Sequence, residues 1–228
     1  MSFRTFAALL SLTLLASEAS AENVEFKIAN SFPVKGKQLP FSLYLSVEDS
    51  SDTRLGIEAF MDLRSLQKNA PWIFSNVLKD TCKQKYSLAV SEAKAQGDTI
   101  VASGQVQAKF HACDTDDPEV YYRGVLLFGQ NVDAVVQAAA DVRGKCARLR
   151  LVDLELDLHG FVGTVADLTG VTEKVSELIL EKGAEILAKH PICPKLPDEL
   201  AGLDPYFNSG GIREIGQGGV GVTLVGSV

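Results

Sequence analysis

Apolar residues recur along this chain with two periods. From Thr172 to His190 the period is helical. Val175, Leu178, Ile179, Ile186 and Leu187 form one stripe, and Glu173, Lys174, Glu177, Glu181, Glu185 and Lys189 cover the other side. Leu180 and Ala184 extend the stripe sideways, as suits a helix cradled by a curving sheet. Thr172 is the expected N-cap. Pro191 lacks an N–H and disfavours helical geometry at His190, so the helix is expected to stop there. Gly183 weakens the middle by about 1 kcal/mol relative to Ala and marks a close approach to a strand.

Elsewhere the period is two. Asn23 to Ala29 reads as a first strand, with Pro33 and Gly36 in the loop after it. Phe41, Leu43, Leu45 and Val47 alternate with polar positions, EDSSDT (Glu48 to Thr53) is a turn, and Leu55, Ile57, Ala59 and Met61 resume the pattern. A helical stripe then runs from Leu63 to Leu78. Asp62 stands at its start, and Pro71 inside it predicts a kink or two short helices, the second from near Ala70. Tyr86 to Val90 and Thr99 to His111 predict a hairpin around Ala93 to Asp98. Tyr122 to Phe128 predicts a strand, Gly129 to Asn131 a turn, and Val132 to Val142 a further strand. In the strand from Ala147 to Leu158 the inward set passes from Leu149 and Leu151 to Leu154, Leu156 and Leu158. That one-residue slip predicts a β-bulge at Val152. Ile212 to Ile215 and Val220 to Leu224 predict a terminal strand.

The 228-residue sequence opens with the three parts of a secretory signal: Arg4, an apolar core from Thr5 to Ala16, and small residues at Ala19-Ser20-Ala21. Cleavage after Ala21 would leave one domain over 22–228. The apolar run is too short to span a bilayer, so no integral membrane protein is expected. The net charge of −7 and pI near 5.0 argue against nucleic acid, which calls for a basic stripe.

Four cysteines, Cys82, Cys113, Cys146 and Cys193, read as two disulfides in an exported chain, with three possible pairings. Cys82–Cys113 is favoured, because these residues flank a predicted hairpin. Cys146–Cys193 then ties the sheet to the end of the long helix.

No catalytic, metal or cofactor constellation stands out. His111, His159 and His190 are scattered, and HExxH and GxSxG are absent. Residues 216–221 match GxGxxG, but no helix can follow, so the glycines are read as serving a bulge or a close approach at an edge strand. Asp114, Asp116, Asp117 and Glu119 crowd one loop without calcium-loop spacing, which reads as a solvated turn. Trp72, the single tryptophan, reads as a packing aromatic.

Two predicted strand faces are rich in small residues: Ala102, Gly104 and Ala108 on one, Ala134, Ala138 and Ala140 on the other. Side chains of a close-packed helix fill such space, or an apolar ligand does.

The order of elements resembles the tubular lipid-binding (TULIP-like) superfamily, carried by Leu63 to Leu78, the strands between Tyr86 and Leu158, Thr172 to His190 and Val220 to Val228. The resemblance implies an α+β fold in which a long curved antiparallel sheet wraps the C-terminal amphipathic helix, with a second kinked helix near the N-terminal third. It also implies an apolar groove able to hold an acyl chain. The expectation is therefore a non-catalytic periplasmic or secreted protein holding a lipid-like ligand among Ala102, Gly104, Ala108, Ala134, Ala138, Ile179, Gly183 and Ile186. The alternative is an envelope structural or interaction protein with a filled core. It would bind an envelope protein partner through an exposed strand edge, with the Gly-rich C-terminal strand as the candidate.

Overall fold

The computed structural model describes residues 24–51, 54–113, 122–158, 170–194, 196, 202 and 204–228. The predicted leader, the acidic residues Asp114 to Glu119, and His159 lie outside them. Among the described residues 69% are strand and 16% helix. In chain order the elements are β1 (Val24–Val34), β2 (Lys37–Ser51), β3 (Arg54–Asp62), α1 (Arg64–Lys68), α2 (Ala70–Phe74), β4 (Asn76–Asp80), β5 (Gln84–Gln96), β6 (Thr99–Cys113), β7 (Arg123–Arg143), β8 (Cys146–Leu158), α3 (Val171–Lys189), β9 (Tyr206–Ile215) and β10 (Gly219–Ser227).

The strands form two five-stranded antiparallel sheets. The first runs β1-β2-β3-β10-β9 and the second β4-β5-β6-β7-β8. One of the two sheets curls as a half-barrel. This overturns the α+β expectation of one long sheet wrapping the C-terminal helix. The fold is mostly β, and α3 serves one sheet only. Two physical reasons account for the difference. The N-terminal strands and the C-terminal hairpin pair with each other into a sheet of their own, a pairing between chain ends that periodicity cannot reveal. The buried face of α3 is also narrow. Val171, Val175, Leu178 and Ile179 are buried, while Leu180 is 46% exposed and Ala184 is exposed. Such a stripe beds on one sheet face.

Other departures have local causes. The stripe from Leu63 to Leu78 makes two short helices, the second from Ala70 as expected at Pro71, but its end is a strand and not helix. Asn69 separates the helices, and Pro71 sits in the first turn of α2, where its missing N–H costs nothing. Ser75 is extended, which sends Val77 and Leu78 into β4. The N-cap position is Leu63, not Asp62, although the Asp62 Oδ1 accepts from the Arg64 backbone N–H at 3.1 Å. Helix α3 begins at Val171 after left-handed Gly170 (φ 68°), two residues earlier than a Thr172 cap implies. The turn expected at Gly129 to Asn131 does not form. Those residues pair with Lys109, Ala108 and Gln107 of β6, and β7 continues for 21 residues.

The slip at Val152 is a bulge. Gln137 pairs with Asp153 and Ala138 with Leu151, so Val152 is the extra residue. Both disulfides form with the favoured pairing, Cys82–Cys113 and Cys146–Cys193.

Two hydrophobic cores result. One fills the first sheet and meets the ends of the β5–β8 hairpins, joining Leu43, Met61, Phe207, Val222 and Leu224 to Ala95, Ala147 and Ile192. The other lies between α3 and the second sheet, where Val175, Leu178 and Ile179 meet Val106, Ala108, Val132 and Ala134. The β7–β8 turn joins them. Gly144 exchanges backbone hydrogen bonds with Phe207 at 3.0 and 2.7 Å, and Ala147 with Ile192 at 2.8 Å each way. Cys146–Cys193 staples this junction beside the end of α3.

Candidate functional site

Where the two cores part, the packing leaves a cavity of about 280 Å³. Each wall comes from a different element. The β1–β2 hairpin contributes Phe32, Val34 and Lys35, and the short helices contribute Leu63, Leu66, Gln67, Ala70, Ile73 and Phe74. Ile100 and Leu149 rise from the second sheet, Val220 from the first, and Ile186, Leu187, His190 and Ile192 close the α3 end. The walls are therefore apolar, with Lys35, Gln67, Asn76 and His190 as their polar members.

Gln67 holds the short helices in place. Its Nε2 donates to the Ala93 and Gly218 carbonyls, both at 2.8 Å, and its Oε1 accepts from the Val220 N–H at 3.1 Å. One α1 side chain thus ties β5 of one sheet to the β9–β10 hairpin of the other. Beyond Gln67 lies a second, open and polar depression lined by Arg64, Lys68, Glu92 and Lys94 among others.

Lys35 and Gly36 form the two-residue β1–β2 turn, with φ of 45° and 77°. Positive φ at both positions is what such a turn requires, and Lys35 is the one non-glycine to adopt it among the described residues. The Lys35 Nζ donates to the Trp72 carbonyl at 3.0 Å and the Ser75 carbonyl at 3.3 Å. It also lies 5.7 Å from the centroid of the Trp72 ring, and Lys37 lies 4.7 Å from it. Trp72 is thus a surface aromatic beneath two cations. On the other side of the short helices, Arg64 pairs with Asp62 and holds its carboxyl below the usual carboxylate range.

Of the eight residues expected to line a pocket, Ile186 lines this cavity. Ala108, Ala134 and Ile179 belong to the closed core under α3, and Ala138 is buried beside the β8 bulge. Ala102 is half-buried and pairs with Ala93 and Val136. Gly104 faces the β5 bulge at Ser91, where an added Cβ would come within 2.6 Å of the Ala89 carbonyl oxygen. Gly183 meets Leu151, whose Cδ1 would lie 3.0 Å from an added Cβ. Small residues here admit close packing, and the space lies two turns further along the helix. Sequence reasoning missed Lys35 and Gln67, because a turn lysine and a helix glutamine carry no periodic signal.

The Gly-rich C-terminal strand is not an edge. β10 pairs with β3 on one side and β9 on the other, and Gly216 and Gly218 take positive φ in the hairpin turn. Among the described residues an apolar edge exists elsewhere. β8 pairs with β7 only as far as Val132, and among the described residues positions 123–131 of β7 have β6 on one side and no strand on the other. Val125 and Leu127 there are 72% and 67% exposed.

Two disulfide-bonded pairs are compatible with an oxidising compartment. No described helix is long and apolar enough to cross a membrane. No protein-family model, curated protein or solved structure matches this chain.

Proposed function

We propose that this is an exported, non-catalytic carrier of a lipid-like apolar ligand, held in the cavity between the two sheets. The observation that carries the reading is the cavity itself: about 280 Å³, walled by apolar side chains of both sheets and all three helices, at the small end of the roughly 300–1,000 Å³ typical of ligand pockets. Its lining is mostly apolar with a few polar groups at hand, which is the make-up of small-molecule pockets. The signal-like leader and the two disulfides support delivery to the periplasm or the outside, with cleavage after Ala21.

The test is native mass spectrometry and organic extraction of the protein purified from the oxidised compartment. Bound lipid, or uptake of a fluorescent apolar probe, is the expected result. A ligand-free protein that takes up no probe overturns the reading.

The second reading, an envelope interaction protein, draws on the exposed Val125 and Leu127, along a part of β7 that has one strand neighbour among the described residues. It predicts that Leu127→Lys abolishes partner capture while leaving probe uptake intact.

A further inference from the structure

We infer that the occupant is a single-chain amphiphile with an anionic headgroup, and that Lys35 at the mouth of the cavity receives the headgroup. The inference rests on the carrier reading and adds the chemistry of the ligand. Its first support is size. At about 280 Å³ the cavity lies at the small end of ligand pockets, which suits one acyl chain better than two.

Its second support is charge. Lys35 is the one Lys or Arg among the cavity's lining residues, and no carboxylate lies within ion-pair distance of it among the described residues. The turn fixes its backbone in a left-handed conformation, and two carbonyls at the end of α2 fix its ammonium. An ammonium carries three donors. Two are committed to Trp72 and Ser75, so one donor and the whole positive charge remain for a ligand. Capping the end of α2 accounts for the two carbonyl bonds. It does not account for an unneutralised cation placed on the rim of an apolar cavity. An anionic headgroup supplies the missing countercharge while its chain enters among Leu66, Ile73 and Ile186. A carboxylate, sulfate or phosphate monoester shares this chemistry.

The experiment compares decanoate with decanol, two chains of equal length that differ in head charge, on the disulfide-intact mature protein. Binding is followed by calorimetry and by the emission of Trp72, the single tryptophan, whose ring lies 5.7 Å from the Lys35 Nζ. Wild type is expected to bind decanoate about tenfold more tightly than decanol, the worth of one charge-assisted hydrogen bond at a rim. Lys35→Met should bring decanoate down to the decanol level and leave decanol unchanged. Lys37→Met, which removes a charge beside Trp72 but outside the cavity, should keep the preference for acid. Thermal unfolding of each variant separates loss of the α2 cap from loss of the headgroup contact. Equal binding of acid and alcohol by wild type overturns this inference and leaves the carrier reading standing. So does an equal loss in Lys35→Met and Lys37→Met. Binding of neither probe overturns both.

Discussion

Ile179 and Ile186 lie seven residues apart on one face of α3, yet they should respond to the same enlargement with opposite sign. Ile179 is 4% exposed and sits in the closed core against the second sheet. Ile186 faces the 280 Å³ cavity. Replacing either by Phe adds three carbons. At Ile186 those carbons enter empty apolar space. At about 0.8 kcal/mol per buried carbon the gain approaches 2.4 kcal/mol, and the lower helix propensity of Phe takes back a few tenths. A net gain of about 2 kcal/mol in a domain of this size raises Tm by about 4–8 °C. At Ile179 the same carbons must displace packed neighbours, and overpacking costs about 1–3 kcal/mol. Differential scanning calorimetry of the two variants reads the difference directly, and a titration with an apolar probe accompanies it. Ile186→Phe should be more stable and bind the probe more weakly. Ile179→Phe should be less stable and keep its affinity once folded. If both variants lose stability alike, the cavity is not available space, and the argument for an occupant fails with it.

Replacing Cys146 and Cys193 together by Ser should cost about 4 kcal/mol by the loop-entropy model for a separation of 47 residues, read as a lower urea midpoint. It should also weaken probe binding, because the bond holds the α3 end of the cavity to β8. Arg64 lowers the Asp62 pKa, so the stability this pair contributes is complete above the unfolded value of about 3.9 and is lost as pH falls through the lower folded value. The deficit of Asp62→Asn against wild type in urea unfolding should therefore be present at neutral pH and shrink below about pH 4; a deficit that grows with acid would contradict the assignment. Both ring nitrogens of His111 are buried without a hydrogen-bond partner among the described residues. His111→Leu should relieve that desolvation and stabilise the fold by about 1–3 kcal/mol, and a fall in the urea midpoint would mean the ring has a polar role in the folded state.

Alternation in the sequence placed Phe41 to Val47, Leu55 to Met61, Ile100 to Phe110 and Val132 to Val142 in strands, and its one-residue slip located the bulge at Val152. Helical spacing and Pro191 delimited α3 to within two residues at each end. Cysteines flanking a hairpin led to both disulfides. These features share a cause: each depends on neighbours in the chain or on local geometry, which the residue pattern records. The sheet to which each strand belongs depends on pairing between residues some 160 positions apart, as when Met61 meets Val222. Nothing in the alternation of either strand names its partner. Alanines at Ala108 and Ala134 look the same in sequence whether the space above them is empty or filled, and α3 fills it. The open space appears where Lys35, Gln67, Leu149 and Ile186 converge from four elements. The sequence determined that α3 presents an apolar face. Tertiary packing decided that the first half of that face is closed and the second half open, because only the meeting of two separately packed cores leaves a seam between them.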